Sequence, residues 1–147
     1  MVREIKREET PEETHFFDGL GDLWIKRCSH GVTHFRYAGV VSGGFFAIGL
    51  AEVRRSVQDG GGSASLFVDA SELKDYAPEF REQWVTWFRG NRKLIRKCAM
   101  LHRSVLVKLG MSVANVALGG ILQGFSSPEA FQQEFEATLA SRRPPAD

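Results

Sequence analysis

The chain has 147 residues, 43% of them hydrophobic, and a formal net charge of +1. That length suits one domain with a real core, and no apolar run approaches the roughly 20 residues of a membrane-spanning helix. Cys28 and Cys98 form no CxxC pair, so both read as small core residues of a reduced, cytoplasmic protein. The near-zero charge hides an asymmetry: residues 79–108 carry eight Lys/Arg against two Glu.

Residues 1–14 are charged, have almost no apolar content and hold no signal core. They are expected to form a flexible leader. Leu23–Cys28 and Val32–Val41 read as two strands joined by the short Ser29-His30-Gly31 turn, an antiparallel hairpin. Ser42-Gly43-Gly44 opens a helix with Phe46, Leu50, Val53 and Val57 on one face. The Asp59-Gly60-Gly61-Gly62 run ends it. Ala64–Asp69 is a third strand, apolar enough to be buried on both faces.

A second helix is expected over Pro78–Arg96, with Phe80, Trp84, Trp87, Phe88, Leu94 and Ile95 as its apolar face. Cys98–His102 reads as a fourth strand. Val105–Leu118 reads as a third helix with Leu106, Leu109, Val113 and Val116 inward. Ile121–Phe125 is a short edge strand. Ser127-Pro128-Glu129 starts a fourth helix, with Phe131, Phe135 and Leu139 recurring every four residues. Residues 141–147, with Pro144-Pro145, read as a disordered tail, so the domain spans 15–140. About five strands and about four helices in this order predict an α/β domain with a mixed, mostly parallel sheet.

This order, with the Asp69-Ala70-Ser71 step after the third strand, resembles the STAS family of sulphate-transporter and anti-sigma-factor-antagonist domains. The resemblance is closer to the divergent bacterial group described as SpoIIAA-like, which shares its general shape with lipid-exchange domains. The resemblance covers roughly Leu20 to Leu139. It implies a non-catalytic regulatory module that docks to another protein through the third strand and second helix. In that family a helix start of the Asp-Ser-Ser-Gly-Leu kind carries the phosphorylated serine. Here Asp75-Tyr76-Ala77-Pro78 stands there, so Ala77 and Pro78 replace the serines. Ser71 is the nearest hydroxyl.

Individual residues favour binding over chemistry. Asp69 lacks the second Asp two residues on that a phosphatase strand carries, and an Asp in a turn commonly accepts backbone hydrogen bonds. His15, His30, His34 and His102 show no metal-ligand spacing. Cys98 and His102, four apart on one strand, sit about 13 Å from one another, too far for a nucleophile–base pair. Gly60-Gly61-Gly62 precedes a strand and is followed by no Gly-Lys-Ser/Thr. Ser42-Gly43-Gly44 offers free N–H groups at a helix start, where close packing is the plainer reading. The basic stretch suits an acidic protein or acidic lipid better than nucleic acid, since the net charge is near zero. Trp84, Trp87 and Phe88 have the spacing of any core helix, with an apolar ligand cavity as the sharper reading.

The residues expected to bind a partner are therefore Asp69, Ser71, Asp75, Tyr76, Arg92, Lys93 and Arg96. No catalytic residue, metal or other cofactor is expected. A pocket for a lipid or other apolar molecule is the alternative, and a toxin-neutralising immunity protein is a third.

Overall fold

The computed structural model describes residues 3–142. Seven strands form one sheet in simple sequential order: β1 (Lys6–Glu9), β2 (Thr14–Phe17), β3 (Gly21–Arg27), β4 (Val32–Val41), β5 (Ala64–Tyr76), β6 (Ile95–Leu101) and β7 (Leu122–Phe125). The first four pair antiparallel and the last four parallel, so the sheet is mixed. Four helices connect or follow the strands: α1 (Gly44–Asp59), α2 (Pro78–Asn91), α3 (Val105–Ala117) and α4 (Pro128–Arg142). The α/β class and the helix count agree with expectation.

Two strands more than expected come from the N-terminal segment. Lys6–Glu9 pairs with Thr14–Phe17 through backbone hydrogen bonds alone, its side chains all exposed. A strand held only by its backbone has no apolar alternation to announce it. The expected flexible leader and frayed tail fall partly on residues 1–2 and 143–147, which lie outside the described residues. Within them, α4 runs on to Arg142.

The β3–β4 hairpin turns at His30 (φ 60°) and Gly31 (φ 78°), the left-handed pair that a tight hairpin needs. A Cβ on Gly31 would lie 2.6 Å from the Gly60 backbone, so the hairpin turn and the end of α1 close on each other. β5 does not end at Asp69. The β4–β5 register slips between Arg36↔Asp69 and Ala38↔Glu72, and the strand continues to Tyr76. This β-bulge turns the expected strand end into an interruption within one strand. The second helix likewise stops early, at Asn91, and a 3-10 turn over Arg92–Leu94 leads into β6. Ile95 is thus a buried strand residue, not part of the helix face.

Two cores flank the sheet. α1, α2 and α3 cover one face, over Leu23, Ile25, Phe35, Tyr37, Leu66 and Cys98. α4 covers part of the other, where Phe131 and Phe135 pack on Phe67 and His34. That face of α4 is the expected one. The inward face of α1 is rotated from expectation: Phe45, Gly49, Val53 and Ser56 are buried, and Phe46 and Val57 sit at the margin. α3 departs further. Val107, Met111 and Ala117 face the sheet, while Leu106, Leu109, Val113 and Val116 face solvent.

Candidate functional site

The residues expected to bind a partner fall into two groups. Asp69, Ser71, Asp75 and Tyr76 lie along the carboxyl half of β5. Arg92, Lys93 and Arg96 lie at the amino end of β6, level with the start of β5. Four residues of strand, about 13 Å, separate the nearest members.

Most of these side chains are turned to local bonds. Asp69 Oδ1 accepts the Ser71 backbone N–H at 3.0 Å and the Ser71 hydroxyl at 2.6 Å, which pins the bulge. Asp75 accepts its neighbour's N–H at 2.8 Å. The Tyr76 hydroxyl donates to the Leu106 carbonyl at 3.3 Å, and its ring tip lies 2.5 Å from where a Cβ on Gly110 would stand. Tyr76 is therefore a latch between β5 and α3 that only glycine admits. Arg96 donates to Ser65 and Ser63, tying β6 to the start of β5. The Arg92 guanidinium reaches Gly119, just past the end of α3, where a cation complements the helix dipole.

The Ser42-Gly43-Gly44 helix start resolves toward packing. A Cβ on Gly43 would meet the Glu79 side chain at 2.7 Å, and one on Gly44 would meet Ile5 at 3.1 Å. A carboxylate-bearing chain over the first N–H groups is the wrong neighbour for an anion.

Between the sheet, α2 and α3 lies an apolar cavity of about 110 Å³. Leu66, Val68 and Ala70 of β5 form its floor, Phe80, Trp84 and Phe88 of α2 one wall, and Val107, Met111 and Ala114 of α3 the other. Trp84 stacks on Phe88 at 5.3 Å and meets Phe46 edge-on. Trp87 stands outside. The one charged lining residue is Arg81 on α2; among the described residues it has no ion pair. Space arises because Ala70, Gly110 and Ala114 are small where α3 crosses β5. Single-residue periodicity carries no sign of that, because it depends on which small residues face each other.

The lining is chemically quiet. Burial pushes the Cys98 thiol up to about 12 and raises the Tyr37 phenol above its ordinary value. Neither forms the charged state a nucleophile or base uses near neutral pH. The charged groups inside the fold lie elsewhere. Glu52 of α1 is buried and accepts from Arg27 of β3 and Arg55. Burial pushes its carboxyl up, and these hydrogen bonds reverse that, leaving it below the usual carboxylate value. Burial against α4 lowers the His34 imidazole. On the uncovered part of the sheet His15 stacks on Trp24 and bonds Asp22 at 2.8 Å, and Arg36 caps the same indole at 3.8 Å. Among the described residues no three His, Cys, Asp or Glu side chains gather as metal ligands would. No helix among them is long and apolar enough to cross a membrane.

No family model matches the sequence, and no curated protein matches it as a relative. A solved structure does match. It is an uncharacterized protein of the DUF3478 family from Shewanella loihica PV-4, with a SpoIIAA-like fold. The likeness covers 90% of this chain and 92% of that one, with a TM-score of 0.55 at 12% identity. At that identity the likeness speaks for fold alone: the chain has a SpoIIAA-like α/β fold.

Proposed function

We propose that this domain is a non-catalytic binding module whose ligand is an anionic amphiphile, held with its alkyl or ring portion in the cavity between β5, α2 and α3. The cavity carries the reading: its lining is apolar throughout, and the one charged side chain along it, Arg81, lines it with its alkyl stem, which leaves the guanidinium outside the apolar space for an anionic head group. Pockets for small molecules are concave, mainly apolar and marked by a few polar groups that orient the ligand. Its 110 Å³ is somewhat less than a 150 Å³ cavity that holds benzene. It takes a ring or a short alkyl end at rest, and a longer chain requires α3 to shift outward.

Titration with decanoate, followed by tryptophan emission, tests this. Trp84 lines the cavity and reports entry. Saturable binding is expected, weakened in Arg81→Ala and abolished in Ala114→Phe, which fills the space. Equal binding by wild type and the filled variant would exclude the cavity.

Docking to a protein through β5 is the second reading. One observation favours it: beyond Asp69, β5 has a strand partner in β4 but not in β6, and Glu72, Lys74 and Asp75 there are exposed. Ser71, with its hydroxyl bonded to Asp69, belongs to the bulge in this reading, so binding is constitutive and not switched by phosphate. A stoichiometric phosphate on Ser71 in protein from the native cell, with loss of partner binding in Ser71→Asp, would overturn it.

A further inference from the structure

α3 is apolar on both sides. Its inner side walls the cavity, and its outer side leaves large aliphatic residues in water: Val105 is 74% exposed, Leu109 61% and Val116 78%. Leu106 and Val113, on the same side of the helix, extend the strip. Single exposed apolar residues need no explanation, but a contiguous row along one helix marks a contact surface.

Charge says what covers it. From Gln83 to Pro128 the chain holds seven Lys/Arg and no Asp or Glu. Two of those cations pair or bond away from α3: Lys97 with Glu134, and Arg96 with Ser65 of β5 and with Ser63 just before it. Others border the strip. Arg103 and Lys108 line a shallow cleft with Val105 at the amino end of α3, and Arg92 reaches its carboxyl end at Gly119. The surface is an aliphatic strip with cations at both ends.

We infer that the outer face of α3 docks on an anionic lipid bilayer. A second copy of the chain fits poorly, because pairing two such strips sets cation against cation at both ends. A protein partner fits less well than lipid. Protein interfaces carry about one hydrogen bond per 100–200 Å² and are enriched in aromatic residues. The exposed strip has no aromatic residue. Its neighbouring polar groups already bond within the chain: Ser112 Oγ donates to the Lys108 carbonyl on the helix surface, and Asn115 Oδ1 accepts the Leu122 N–H. Acyl chains ask for no hydrogen bonds, while lipid phosphates match Arg92, Arg103 and Lys108. The inference concerns the outer face of α3 and stands whatever fills the cavity behind it.

The test is co-sedimentation of the full chain with vesicles of neutral phosphatidylcholine, with and without phosphatidylserine. Binding is expected only with the anionic lipid and should fall steeply as salt rises. Arg103→Gln and Lys108→Gln should each weaken it about fivefold. Val116→Asp should weaken it about tenfold or more while leaving decanoate binding intact, which separates this surface from the cavity. Equal binding to neutral and anionic vesicles, or none to either, would overturn the inference. So would a dimer in sedimentation velocity that Val116→Asp dissolves.

Discussion

Glu52 shows how one buried charge couples sheet to helix. Removing its charge in Glu52→Gln leaves Arg27 and Arg55 without their carboxylate, and a loss of about 1.5–3 kcal/mol is expected at pH 7. The sign with pH follows from the lowered carboxyl. The unfolded chain binds the proton more tightly, so the stabilisation is full above the ordinary carboxylate value and is lost as pH falls through the folded one. Denaturant melts from pH 7 to pH 3 should show wild type losing this increment and the variant having none to lose. His34 acts in the same direction at higher pH: its imidazole is lowered, so stability contributed there is lost as pH falls below about 6.5. Ser71→Ala should cost only about 1 kcal/mol, the worth of its bond to Asp69, and leave decanoate binding unchanged. The sequence told that Asp69 would serve a turn. That the turn is a bulge inside a longer strand depends on the β4 partner, which no local pattern contains.

At the scale of elements, α3 is where periodicity misleads and why. Leu106, Leu109, Val113 and Val116 satisfy a helical stripe, but so do Val107, Met111, Ala114 and Leu118. The only polar residues, Lys108, Ser112 and Asn115, form a narrow stripe with an apolar row on either side, so the pattern does not say which row turns inward. Only packing against Tyr76 and the sheet chooses, through Gly110. α4 was legible because Gln, Glu and Ala fill its other faces. The two rows of α3 should therefore differ in stability. Val116→Ser is expected to change it by no more than about 0.5 kcal/mol. Met111→Ala should cost about 2 kcal/mol, the low end for a buried methionine, since it already borders a cavity. Deleting residues 1–9 removes β1 and the contact of Ile5 with α1. A loss of about 1 kcal/mol, or a few degrees in thermal midpoint, is expected.

At the scale of the molecule, the order of strands and helices was legible because short connections and right-handed crossovers leave few ways to arrange it. The β3–β4 hairpin, the parallel half of the sheet and four helices all follow from local signals. The cavity does not, because it exists only where three small residues from β5 and α3 come to face Trp84 and Phe88. Whether this cavity is a binding site is read most directly from the methionines. The chain has three: Met100 and Met111 line the cavity, and Met1 is at the N-terminus. With methyl-labelled methionine, titration with decanoate should shift the Met100 and Met111 signals together and saturably. Unshifted Met100 and Met111 signals at concentrations where decanoate still binds, or shifts that persist in Ala114→Phe, would place the ligand outside this cavity.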